Sequence, residues 1–81
     1  MAQIDVGVEA TTILDGNEAT DTLVIVGSRA IRIATGSPTG RTFENSAPID
    51  RGQLIVFPAG SIVTGFANVG TAPVWVEAFG A

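Results

Sequence analysis

Cysteine, histidine, lysine and tyrosine are all missing from this chain of 81 residues, and each absence removes a set of chemistries. Without histidine there is no Ser-His-Asp triad, no imidazole base and no imidazole metal ligand. Without cysteine there is no thiolate nucleophile, no zinc cluster and no disulfide. Without lysine there is neither a Schiff base nor a P-loop. Leucine is scarce too, with 3 residues. Cations are few: the four arginines Arg29, Arg32, Arg41 and Arg51 face eight carboxylates, for a net charge of -4. That balance argues against nucleic acid as a partner, because phosphate neutralisation needs clustered cations. Cysteine's absence suits either redox compartment.

Long apolar runs are also lacking. The longest spans Leu54 to Ala59 and is broken by Pro58, whereas a membrane-crossing helix needs about 20 apolar residues. No membrane partner is expected. The opening Met1-Ala2-Gln3-Ile4-Asp5 has neither a basic stretch nor an apolar core, so no secretory leader is expected.

What is present is β-branched. Valine, isoleucine and threonine account for 26 of the 81 residues, and such side chains pack well on a pleated surface. Ten glycines and four prolines are spread throughout, leaving no window with an uninterrupted helical period. The fold class is all-β, with little or no helix. Strands recurring about every ten residues predict an antiparallel β-sandwich or β-barrel of about six to eight short strands. One domain, residues 1–81, fits the length. So small a domain buries a limited share of its surface, and disulfides, metals or oligomerisation usually compensate. Here only oligomerisation is open.

Along the chain, Ile4, Val6, Val8 and Ala10 alternate with polar or small residues, which predicts a half-buried strand at a sheet edge within residues 1–9. Thr12-Ile13-Leu14 runs into the turn residues Asp15-Gly16-Asn17. Thr20 to Val26 contains four consecutive apolar residues and predicts a central strand covered on each side. After the Gly27-Ser28 turn, Ile31 and Ile33 point inward and Arg32 outward. Gly36-Ser37-Pro38-Thr39-Gly40 is the clearest loop, and residues 41–50 read as irregular or a short edge strand. Strands follow at Gln53 to Phe57, Ser61 to Asn68 and Pro73 to Phe79, the last two forming a β-hairpin through Val69-Gly70-Thr71.

Candidate sites are sparse. Asp15, Glu18 and Asp21 superficially resemble the start of a calcium loop, but Ala19 and Val26 occupy its fifth and twelfth positions, and a solvated turn explains them. Paired carboxylates for glycoside cleavage need a cleft that one thin domain lacks. Trp75 is out of phase with Val74 and Val76, so either it or the valines face the core. Its possible roles are core filler, interface residue or ligand platform. Arginine without lysine fits bidentate pairs with carboxylates between subunits, although a GC-rich genome produces the same bias. Neither a catalytic residue nor a metal or cofactor site is expected.

The stretch Ala59-Gly60-Ser61-Ile62-Val63-Thr64-Gly65-Phe66-Ala67-Asn68, followed by Gly70-Thr71-Ala72-Pro73-Val74-Trp75-Val76, resembles small β-rich virion proteins, namely bacteriophage head decoration (cement) proteins. The likeness extends over the whole chain through its size, small-residue-rich strands, lack of cysteine and acidic, lysine-poor surface. It implies a homotrimer, less often a dimer, that sits on the capsid of a virion and bridges capsomers of the major capsid protein. It also implies that residues 1–9 act as an arm on the capsid or a neighbour. The residues expected at interfaces are Ile4, Val6, Val8, Arg29, Arg32, Trp75 and Phe79. Alternative readings are a carbohydrate-binding or adhesive module, or a phage tail or neck component. An ice-binding face would need a threonine ladder, which is absent beyond Thr20 and Thr22.

Overall fold

The computed structural model describes residues 2–37 and 39–79. Eight strands account for the regular structure: β1 (Ala2–Val6), β2 (Thr11–Asp15), β3 (Thr22–Val26), β4 (Ile31–Thr35), β5 (Ala47–Ile49), β6 (Leu54–Phe57), β7 (Ile62–Ala67) and β8 (Ala72–Ala78). No helix occurs among the described residues. The strands form two antiparallel four-stranded sheets, ordered β1-β8-β3-β6 and β2-β7-β4-β5. This order is that of a jelly roll, in which two Greek keys wrap one sheet onto the other. The fold is an all-β sandwich.

Alternation sets the core. Val6 of β1, Val24 and Val26 of β3, and Val74 of β8 face Leu14, Ile31, Val63 and Ala67 of the second sheet, all buried. Phe57 of β6 closes the interior, with Ile49 and Ile55 packed against it. Aliphatic side chains of three or four carbons fill the roughly 10 Å between packed sheets.

Two expectations are corrected. β7 and β8 do not form a hairpin: β7 pairs with β2 and β4, and β8 with β1 and β3, in the opposite sheet. The turn after β7 is an arch between sheets, and among the described residues β4–β5 is the one consecutive pair that is hydrogen-bonded. β3 is central in its sheet, yet it is covered on one side only. Thr22, Val24 and Val26 are buried, whereas Leu23 and Ile25 lie on the outer face, half-buried.

The outer faces of the two sheets differ. The long connection between β4 and β5 belongs to the second sheet. Ser46 Oγ donates to Thr42 O at 2.6 Å, and Asn45 Oδ1 accepts from Thr42 N at 2.9 Å, so the segment folds on itself. Arg32 ties it to the sheet, its guanidinium 4.7 Å from the centre of the Phe43 ring. Ala34, Thr64 and Phe66 on that outer face are buried. The connections that meet strands of the first sheet run four to six residues and stay at its ends.

Residues 2–6 are engaged at home, as β1 pairs with β8 from Ala2↔Val76 to Val6↔Ala72. Met1 and Pro38, which belong to the expected arm and loop, lie outside the described residues. Because the interior is one side chain deep, Leu14→Ala is expected to cost about 3 kcal/mol. Urea denaturation should show a lowered midpoint with an unchanged slope; a loss below about 1 kcal/mol would contradict a close-packed centre at Leu14.

Candidate functional site

The most distinctive surface is the outer face of the first sheet. Strand register aligns Gln3, Trp75, Ile25 and Leu54 in a row across all four strands. A second row holds Glu77, Leu23 and Val56, and a third begins with Asp5 and Pro73. Adjacent strands lie about 4.8 Å apart, so the first row spans roughly 14 Å. Its β1 side is polar, with Gln3 Nε2 donating to Asp5 Oδ1 at 3.0 Å. From Trp75 to the β6 edge it is apolar, and Leu54 and Val56 remain 62% and 46% exposed. Large contiguous apolar surface of this kind marks interaction sites on soluble domains.

Trp75 owes its setting to Gly27. A Cβ at Gly27 would come within 2.7 Å of both Trp75 Cζ3 and Pro73 O, so only glycine lets the indole lie over the strand end. Gly27 N also donates to Pro73 O at 3.1 Å. Val74 is fully buried and Val76 packs against the core, so the valines face inward and the indole faces out, half-buried.

The residues expected at interfaces do not come together. Val6 is completely buried in the core and offers nothing to a partner; Ile4 faces inward beside it. Val8 is exposed beyond β1, at the end of the sandwich where Arg29 Nη1 donates to Val69 O at 3.4 Å. Arg32 is on the second sheet against Phe43. Phe79 is exposed at the opposite end, its amide bonded to Asp21 O at 2.7 Å. Of the seven, Trp75 belongs to the open face, and Phe79 continues the same outward alternation just past β8, where its amide extends the β3–β8 ladder. The other apolar residues of this face, Leu23, Ile25, Leu54, Val56 and Pro73, are not among the seven. Period two places Leu23 with Ile25, and Leu54 with Val56, opposite the core positions; that signal was available.

The carboxylates serve turns. Asp15 Oδ1 accepts the Asn17 amide at 3.0 Å, and this bond, followed by the Glu18 side chain, holds the Asp15 carboxyl below its ordinary value. Asp21 Oδ1 accepts the Ala59 amide at 3.0 Å. Among the described residues no three acidic side chains converge as a metal site. Arg41 donates to Thr35 O at 2.6 Å and to Ser37 O at 3.1 Å, so this arginine, like Arg29, is committed to backbone carbonyls.

Two open hollows lie side by side at the Arg29 end. One, of about 330 Å³, is lined by Arg29, Ala30, Ala67, Asn68, Val69 and Ala72. The other, of about 290 Å³, adds Ile31, Arg32, Phe43 and Pro48. No carboxylate lines either, so neither offers an acid–base pair.

Comparison with protein-family models, with curated proteins and with solved structures found no match. Gly27→Ala should lift the indole off the sheet, red-shift the emission of this single tryptophan and cost about 1–3 kcal/mol. Ser28→Ala, at the exposed neighbouring position, should change neither. Unaltered emission in Gly27→Ala would show that the indole does not depend on Gly27.

Proposed function

We propose that this chain is a non-catalytic structural protein of a virion, decorating a bacteriophage capsid and bridging neighbouring capsomers through the open face of its first sheet. The observation that carries the reading is that face: Leu23, Ile25, Leu54, Val56, Pro73 and Trp75 form one apolar surface on a domain whose other sheet is dressed by its own chain. A tryptophan amid aliphatic neighbours has the composition of a binding hot spot. The partner is the major capsid protein, and the resemblance of residues 59–76 to head decoration proteins supplies that choice. Jelly rolls also build viral capsid domains, an analogy of fold only. Lack of histidine, lysine and cysteine, and the use of Asp15 and Asp21 in turns, fit a role without catalysis.

Each contact on a shell can be weak, because many identical copies act on one particle and oligomeric subunits gain avidity. Trp75 set outward also favours a second reading, a carbohydrate-binding module. Its flanks are mixed: Ile25 and Pro73 adjoin it as apolar neighbours, while Gln3 in its row and Glu77 two residues along β8 are polar groups of the kind that meet a sugar's hydroxyls.

Co-sedimentation of purified protein with heads of the parent phage stripped of it tests the reading. Wild type should bind saturably, and Trp75→Ala should weaken binding by roughly thirtyfold with an unchanged circular dichroism spectrum. Binding that is absent, or equal in the variant, would refute docking through this face. Glycan-array binding abolished by Trp75→Ala would replace it with the second reading.

A further inference from the structure

The four sheet edges are not equally protected. β1 carries Asp5 and leans against β2, β2 has a register break between Thr12 and Leu14 and ends in Asp15, and β5 is three residues long with Pro48 at its centre. Charges, bulges, short length and proline are the devices that blunt an edge. β6 is four residues long, with a glycine before it and Pro58 after it, but within Leu54–Phe57 it carries no charge, no proline and no register break. Leu-Ile-Val-Phe is uncharged and unbroken, and β5, the edge across the sandwich, scarcely touches it.

The hydrogen-bond phase of β6 follows from its first residues. Val26 N donates to Gln53 O at 2.9 Å, and Gly52 N donates to Val26 O at 2.9 Å. Gly52 has a φ of 76°, so Gly52 and Gln53 form a glycine bulge opposite Val26. The main-chain groups of Gln53 therefore face β3, and those of Ile55 and Phe57 follow by alternation. The N–H and C=O of Leu54 and Val56 then face away from the sheet. These are the two residues whose side chains stay most exposed on β6.

We infer that β6 is the self-association edge of this protein, joined antiparallel to β6 of a second copy about a two-fold axis at Ile55. Opposed residues in a pleated pair share a face, so outward Leu54 must meet an outward residue of the other copy. Placing Ile55 on the axis pairs Leu54 with Val56 in both directions. All the outward groups of both strands are then used, giving four main-chain hydrogen bonds. Sliding the pair so that Val56 lies on the axis sets Leu54 against Pro58, which has no N–H. Charge agrees with this register. Arg51, exposed at the start of one β6, comes alongside the Pro58–Gly60 turn of the other, where Asp21 holds the Ala59 amide. The contact occurs twice by symmetry.

The inference rests on the edge and is independent of the capsid reading, so its test uses purified protein alone. Sedimentation equilibrium should give a concentration-dependent species at twice the 8.3 kDa chain mass. Val56→Pro removes an outward N–H without touching the β3 ladder and should shift the dimer constant at least tenfold. Leu54→Lys gives the same readout should the proline variant fail to fold. Arg51→Glu should weaken the dimer several-fold, an effect that shrinks in high salt. The cysteine-free chain also permits a register test. Facing Cα atoms of a non-hydrogen-bonded pair lie about 4.5 Å apart, within disulfide reach. Ile55→Cys should therefore oxidise to a covalent dimer, while Leu54→Cys, opposite Val56, should not. A monomer at every concentration, a species of three chains, a dimer indifferent to both Val56→Pro and Leu54→Lys, or preferential crosslinking through Leu54→Cys would each overturn the inference.

Discussion

A sandwich of two four-stranded sheets has one shared interior and two outer faces, and short strands leave little chain to cover them. This chain devotes nearly everything to the interior. Its strands are three to seven residues long, and one connection, the segment between β4 and β5, is long enough to return over a sheet. Arg32 and Phe43 fasten it to the second sheet. The first sheet keeps its apolar outer face open. Where that segment lies thus decides which surface is free to meet a partner.

The composition fits the same geometry. Valine-rich inner positions fill a single layer between sheets, with Val6, Val24, Val63 and Val74 fully enclosed. Trp75 is placed on the outside, where Gly27 leaves room beneath its ring. A small domain with so thin a core has a limited margin of stability. Covering the open face would add apolar burial that the lone subunit cannot supply. Leu23 and Ile25 are apolar surface of the same kind as the core, left on the outside of the lone subunit.

Strand existence was legible because alternation is local. The β1 pattern and the Asp15-Gly16 turn follow from neighbouring residues, and the short β5 around Pro48 is one of the two readings open for residues 41–50. What failed was non-local. A glycine-containing turn between two strands looks the same whether it closes a hairpin or arches between sheets, so the turn at Gly70 does not by itself separate the expected β7–β8 hairpin from the arch that forms. Four apolar residues from Leu23 to Val26 look the same whether the chain or a partner covers the second face. Val6, expected at an interface, is enclosed in the core, because the alternation that suits an interface strand also suits a core edge strand. The open face was hidden for a related reason: its residues come from β3, β6 and β8, and register brings them together.

Edge and face have a consequence when taken together. An open apolar edge that pairs head-to-tail makes fibres, because each addition exposes a fresh edge. The strand at the opposite side of this sheet is β1, where Gln3 and Asp5 stand outward beside Trp75 and Pro73. Adding a β6 there would bring Leu54 and Val56 against a carboxylate and an amide, and β1 already leans on β2. Only β6 on β6 offers matching surfaces, and a two-fold contact consumes both edges at once. Such a pair would stop at two copies and present a continuous eight-stranded face bordered by β1 at each end. A shell-bridging protein gains from that arrangement, because two equivalent apolar faces held rigidly side by side engage two neighbouring units with a single ordering cost. The threefold assembly implied by the resemblance would need a different contact, since a two-fold edge cannot close a ring of three.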